Sequence, residues 1–454
     1  MLAVPEAPVD KLSVRSKTPS SVDFSTYEPV RVECPQRDQW VRPAHGVSDE
    51  EADWIKGRKQ KVLRSLHQYL GRLHLDDFDL KSYLRRLECE PERTPTIGMA
   101  ISGGGWLSAM TGTAILRAID DRFAPSVKER TGGLLQSMSY LSGLSGGSWP
   151  VMSLATYNNP TIQDMVGHWH TNDSTLDAAK GTPHRASSVA VLKQLVPKFE
   201  AGFNVSIPDF LGRLFAYEFV AGPNGGMETM LSDIAELSSF KNHEVPLPMW
   251  QAPMSTSDNI EFFHLKVPFY NATIYEWSPF ELGAWSSSAA SGPGSFFPIK
   301  YLGTKMAVGK PVDGCVVGFD RASFMLGVAA DAANFWLIEA YSNGTLGSFS
   351  KRDISHLAGA IEELQQGFSQ IFNYTLTEHI YATMPNPFAK SSSVTNDDMP
   401  PVNLTLLDGS EAGQSLPLWP HIQPARDPEF IIAWDADGDA LPYSWSNGTN
   451  LYNS

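Results

Sequence analysis

Gly143-Leu144-Ser145-Gly146-Gly147 sets a serine among small neighbours in the G-x-S-x-G spacing of a nucleophile elbow. In such an elbow a sharp strand-to-helix turn leaves the hydroxyl exposed for attack. Upstream, Ser102-Gly103-Gly104-Gly105 follows the apolar run Ile97-Gly98-Met99-Ala100-Ile101. Backbone N–H groups of a glycine turn at a strand end can face the oxyanion formed when a serine adds to a carbonyl. The chemistry these two motifs point to is acyl transfer to Ser145, with backbone N–H groups of the glycine turn facing the oxyanion.

Each motif has a plainer explanation. G-x-S-x-G arises by chance in many chains, but strand-like residues before it and a helix start after it favour the functional reading here. The glycine triplet alone could serve close packing or a positive φ. It lacks the G-x-G-x-x-G and Walker spacings, which disfavours nucleotide binding. A serine nucleophile also needs a base. His421 after Asp408 would follow the Ser, Asp, His order of a triad, although both would then come from nearly one loop. Alternatively Asp408, ending the apolar run Val402-Asn403-Leu404-Thr405-Leu406-Leu407, takes the proton directly. Taken alone, Asp408-Gly409-Ser410 also reads as an ordinary turn.

The elements that must carry these groups follow from patterning. Ser48-Asp49-Glu50-Glu51 reads as a capping box opening a helix with Ile55, Val62, Leu66, Tyr69 and Leu70 on one face. Strand, glycine turn and helix succeed one another at 97–119, with Leu107, Met110, Ala114, Ile115, Ala118 and Ile119 tracing one face of the helix. Core strands are expected near 97–101, 137–143, 402–407 and 430–434, and a helix from Ile354 to Phe372. Residues 1–45 are Pro-rich and read as an extended N-terminal segment, with one catalytic domain over 46–454. Within it, 185–310 reads as cap-like loops over the core.

Composition narrows the partners. A net charge of −15 and a pI of about 5.2 argue against nucleic acid and strongly anionic membranes, leaving a zwitterionic or neutral lipid surface open. No apolar window is long enough to span a bilayer. The N-terminus lacks a signal-peptide core. Sequons at Asn172, Asn204, Asn271, Asn343, Asn373, Asn403 and Asn447 nonetheless suggest a glycosylated, secreted or cell-surface protein, so a leader is expected to have been lost. Three cysteines, Cys34, Cys89 and Cys315, allow one disulfide whose pairing stays open.

Three further features read as structural. Asp435-Ala436-Asp437-Gly438-Asp439 has Ala440 and Ser446 where an EF-hand needs Gly and Glu. His168-Trp169-His170 lacks a third ligand for a metal site. Trp419 and the aromatics at 277–285 are more often core than acyl pocket.

Ser102-Gly103-Gly104-Gly105, Gly132-Gly133-Leu134-Leu135-Gln136-Ser137 and Gly143 to Trp149 together resemble the fungal lysophospholipases (phospholipase B), related to the catalytic domain of cytosolic phospholipase A2. The likeness continues in Tyr301-Leu302-Gly303, Gly318-Phe319-Asp320, Leu407 to Glu411 with Gln414, Leu416 to Pro420, and Gln423 to Arg426. It covers residue 28 to the C-terminus. It implies a three-layer α/β/α core with a cap, patatin-like, and a Ser145–Asp408 dyad that cleaves lysophospholipid or phospholipid acyl esters at a micelle or membrane surface, with the N–H groups of Gly104 and Gly105, joined by Gly146 at the helix start, in the oxyanion hole. No metal or organic cofactor is implied. Two positions depart from the family pattern. Leu107 stands where an arginine thought to hold the substrate phosphate is usual, and Arg117 lies roughly 15 Å further along the helix at 1.5 Å per residue. Ser410 stands where glycine is usual. The family normally runs on past Ser454, so the chain is expected to be truncated, with the C-terminal part of the domain missing. A neutral glycerolipid esterase and a lipid-binding pseudoenzyme are the competing readings. A carboxylate base implies activity from acid to neutral pH.

Overall fold

The computed structural model describes residues 22–169, 188–255, 260–262, 265–267, 272–286, 293–331, 351–389, 402–437 and 446–454. Ile97–Ile101 is buried along its whole length, as a strand covered on both faces must be. It pairs in parallel with Tyr140–Gly143 on one side and Phe430–Trp434 on the other. Leu247–Pro253 adds a fourth parallel strand. Beyond it Ile274–Trp277, Glu281–Ser286 and Pro293–Pro298 continue antiparallel, and Arg42–Pro43 closes the eight-stranded sheet. The architecture is thus mixed α/β, with helices on both faces.

Period-2 alternation assigns the faces. Tyr140 and Ser142 point to the side covered by helix Asp49–Leu73 and the segment 416–426. Ile101 and Trp250 point to the side covered by helices Gly105–Ala118 and Ser148–Thr156. The first of these helices is capped by Ser48, whose Oγ accepts from Glu51 N at 3.1 Å. The N-terminal segment is extended where it is described. Val30–Val32 pairs antiparallel with Cys315–Val317, and a Cys34–Cys315 disulfide locks the pairing. Cys89 is free and exposed.

Two expectations are corrected. Residues 185–310 are not only cap: they supply four strands of the central sheet. Their Pro, Ser and Trp content hid the pattern, because short strands buried on both faces show no alternation. The strand at 402–407 exists as Asn403–Leu406 but lies outside the central sheet, in an antiparallel ribbon with Ala382–Pro385. An apolar run carries no information about which sheet it joins.

Helix Gly105–Ala118 buries Ser108, Ala109, Gly112, Thr113 and Leu116. Leu107 and Met110 are instead 49% and 37% exposed. The helix lies so close to the sheet that a Cβ on Gly112 would come within 2.8 Å of the Ile101 side chain. Small residues therefore line the inner face around Gly112, with Leu116 beyond them, while Leu107 and Met110 face outward.

Candidate active site

The parallel strands end at one edge of the sheet, where open α/β sheets place their ligand crevice. Ser145 follows Tyr140–Gly143 at that edge and opens a 3-10 turn, Ser145–Gly147, leading into helix Ser148–Thr156. Its φ is +50°, a left-handed value that costs a non-glycine residue on the order of 1–3 kcal/mol and persists only where the surroundings enforce it. The neighbouring glycines show the enforcement. A Cβ on Gly146 would lie 1.9 Å from the Gly105 carbonyl oxygen, one on Gly147 2.4 Å from that of Ser102, and one on Gly143 2.3 Å from that of Gly147. The elbow and the glycine turn are pressed backbone to backbone.

The glycine turn is fixed at both ends. Ser102 N–H donates to the Trp434 carbonyl (3.0 Å) and Gly103 N–H to the Ser415 carbonyl (2.8 Å). Ser102 Oγ accepts from Ala436 N (2.8 Å), and Ser108 Oγ donates to the Ser102 carbonyl (2.5 Å). Gly104 and Gly105 then take φ of +120° and +58°. Their N–H groups, like that of Gly146, meet no acceptor among the described residues, whereas Gly147 N–H is used by the Leu144 carbonyl (2.8 Å). Three donors at the mouth of two helices, each with its positive N-terminal end, are available to an anionic oxygen.

Asp408 arrives from the ribbon strand and is fully buried. It caps the turn Gly409–Ala412, with Oδ1 accepting from Ser410 N at 2.8 Å. Its Oδ2 has no well-formed hydrogen-bond partner among the described residues. The Ser145 hydroxyl is nevertheless near enough to favour the charged carboxylate. Such contacts are often loose before substrate binds. Burial pushes the Asp408 pKa up to about 6; Ser410 N–H and Ser145 pull against that, and Asp437 adds to it. A Cβ on Gly409 would strike Leu144 at 2.3 Å, and one on Gly103 would come within 2.7 Å of Ser410 Oγ and 3.2 Å of Ser145 Cβ. The structure thus brings Ser145, Asp408, Gly104, Gly105 and Gly146 together.

His421 is not with them. Its Nε2 lies 2.7 Å from Ser142 Oγ, on the sheet face covered by helix Asp49–Leu73, and burial with Arg426 nearby pushes its pKa down to about 3. The triad alternative does not fit that geometry. Of the remaining features, His168 stacks on Tyr157 with ring centroids 4.7 Å apart, while His170 lies outside the described residues. Trp277 is buried in the sheet, and Trp285 Nε1 donates to Glu276 (2.8 Å). Among the described residues no group of three His, Cys, Asp or Glu side chains is placed to hold a metal.

A feature that motif reading missed is a buried ion cluster. Arg426 Nε donates to Glu51 (2.8 Å) and Nη2 to Glu276 (2.6 Å), while Tyr140 Oη donates to Glu51 (3.0 Å). Glu51 signalled only a helix cap, and nothing local announces partners 375 and 150 residues apart.

The fold has solved counterparts. Human GIVD cytosolic phospholipase A2 superposes with a TM-score of 0.63 at 18% identity, over 93% of this chain and 56% of that one, and the same enzyme with methyl γ-linolenyl fluorophosphonate at 0.54. The sequence model of the lysophospholipase catalytic domain matches residues 97–454. Lysophospholipase 2 of Saccharomyces cerevisiae is 32% identical over 96% of this chain and 61% of its own length. For lysophospholipase 1 of Aspergillus fumigatus the figures are 33%, 94% and 65%, and for the lysophospholipase of Penicillium chrysogenum 32%, 94% and 68%. The chain belongs to the lysophospholipase catalytic-domain family. It spans roughly two thirds of the length of these relatives.

Proposed function

We propose that the protein is a serine acyl hydrolase that cleaves the fatty-acyl ester of lysophospholipids and related phospholipids through a Ser145–Asp408 dyad. The observation that carries this reading is the meeting of a strained serine, a buried carboxylate with one unclaimed oxygen, and three unclaimed backbone donors. Ser145 Oγ adds to the ester carbonyl while its proton passes to Asp408 Oδ2. The oxyanion is held by the N–H groups of Gly104, Gly105 and Gly146. The intermediate collapses with return of the proton to the departing alcohol, leaving an acyl-serine. Water, deprotonated by Asp408, adds to that ester, and Ser145 leaves as the fatty acid is released.

The base must be ionised, so activity rises with pH through about 6 and levels off near neutrality. The acid range expected from sequence is narrowed accordingly. Names of the relatives support lysophospholipids as substrates, and Leu107, two residues past Gly105, is apolar and exposed. A pseudoenzyme would need none of the dyad and its donors as a set, and a His421 triad is disfavoured by the Ser142 contact. The disulfide and the exposed sequon residues Asn373, Asn403 and Asn447 support a secreted glycoprotein, the oxidising exterior favouring both. Asn204 is half-buried, and Asn172, Asn271 and Asn343 lie outside the described residues.

The test is fatty-acid release from lysophosphatidylcholine and from monoacylglycerol by wild type and Ser145→Ala, with a fluorophosphonate probe as reporter of an activated serine. Phospholipid turnover and labelling that both vanish in Ser145→Ala support the proposal. Turnover of monoacylglycerol alone moves the substrate to neutral lipids. Folded wild type that neither turns over nor labels overturns it.

A further inference from the structure

His421 is buried, yet it is not the base and is not an isolated core residue. Its imidazole touches both strands that end in the site. On Ile97–Ile101 its Nδ1 edge faces Gly98, where a Cβ would sit 2.3 Å from Nδ1 and 2.9 Å from Cε1, and the Met99 backbone hydrogen-bonds to the ring; only glycine leaves room for it. On Tyr140–Gly143 its Nε2 lies 2.7 Å from Ser142 Oγ, and that oxygen donates in turn to the Pro417 carbonyl (3.0 Å). Gly98 leads into the Ser102–Gly105 turn, and Ser142 into Ser145. His421 itself belongs to the segment after Asp408, whose Ser415 carbonyl receives Gly103 N–H. One side chain therefore keys together the three chain segments that supply oxyanion donors, nucleophile and base.

We infer that His421 is a positioning residue for the reaction: with Ser142 and Gly98 it sets the spacing of the glycine turn, the elbow and the Asp408 segment. The inference rests on the Ser145–Asp408 reading. Two backbones pressed to contact distance transmit a shift of a strand end directly to the donors, and a displacement near 1 Å can cost about 100-fold in rate. A neutral ring suits the role. It bonds Ser142 without placing a charge beside Arg426, the charged group that faces it, and Tyr140 packs edge-on with centroids 6.5 Å apart.

The experiment measures kcat and KM on lysophosphatidylcholine, competent sites by fluorophosphonate titration, the pH profile and the melting temperature. The variants are His421→Phe, His421→Gln, Ser142→Ala and the His421→Phe/Ser142→Ala pair. His421→Phe is expected to lower kcat per titrated site ten- to hundredfold with KM within about twofold, leaving the acid limb near pH 6. His421→Gln, which can reach Ser142, should recover part of the loss, and the double variant should be no worse than His421→Phe alone. Unchanged kcat per titrated site beside a lower melting temperature would overturn the inference in favour of plain core packing. An acid limb that disappears would overturn it in favour of His421 as base. Should His421→Phe fail to fold, Ser142→Ala, which removes one oxygen, decides alone by the same kcat criterion. Activity surviving in Ser145→Ala would instead defeat the dyad reading, so the two failures are told apart.

Discussion

The two halves of the central sheet are built for different tasks. The parallel half, strands 97–101, 140–143, 247–253 and 430–434, sends its C-terminal ends to one edge, and there the glycine turn and the elbow meet the Asp408 turn. The antiparallel half, strands 274–277, 281–286 and 293–298, returns the chain alternately to both edges and contributes none of the catalytic groups proposed here. Its contribution is anchorage: Glu276 receives Arg426, Glu281 receives Arg42 in a bidentate pair, and Phe297 stacks on Trp40. Chemistry concentrates where parallel strands bring loops together, and buried charge pairing ties the rest to it.

Four substitutions probe this division. Arg426→Met leaves Glu51 and Glu276 buried without their cation, and should destabilise the protein by about 3–5 kcal/mol in denaturant unfolding. Turnover per folded molecule should stay within about threefold. If it collapses instead, the anchoring half reaches into the chemistry. Gly146→Ala sets a methyl against the Gly105 carbonyl and should cut kcat about 10²–10³-fold. Near-normal turnover would mean that the donors are placed elsewhere.

Asp408→Asn tests the cost of the buried base. Its folded pKa of about 6 exceeds the unfolded value, so the folded state binds the proton more tightly and stability falls as pH rises from about 4 to 6. The amide should therefore abolish turnover yet raise stability by roughly 2–3 kcal/mol at pH 8, with the gain gone by pH 4. A variant less stable than wild type at pH 8 refutes the burial account. Leu107→Arg should improve kcat/KM for lysophosphatidylcholine over monoacylglycerol by about three- to tenfold. The range is modest because position 107 is half exposed and screened. No change in that ratio would separate position 107 from headgroup selection.

Much of the site was legible because its chemistry is local. The G-x-S-x-G spacing needs only five adjacent residues, and the glycine triplet only its preceding strand. Asp408 required the family resemblance, since Asp-Gly-Ser by itself is a turn. The helix at 105–118 was legible as a helix, but its buried face was not: its apolar pattern tracks Leu107 and Met110, whereas contact with the sheet demanded Gly112 and Ser108. His421 was legible as chemistry and misplaced, because strand alternation puts Ser142 and Ser145 in different surroundings.

By itself the sequence determined the conformation of Ser145, the glycines that permit it, the buried strand before it and the capped helix at Ser48. Each follows from steric and hydrogen-bonding limits within a few residues. Only the tertiary structure decided that Cys34 pairs with Cys315, that Asn403–Leu406 leaves the central sheet, that Arg426 joins Glu51 to Glu276, and that His421 spans Gly98 and Ser142. The reason is physical: burial makes a polar group take whichever partner the packed chain brings within reach, and separation along the sequence does not limit that choice.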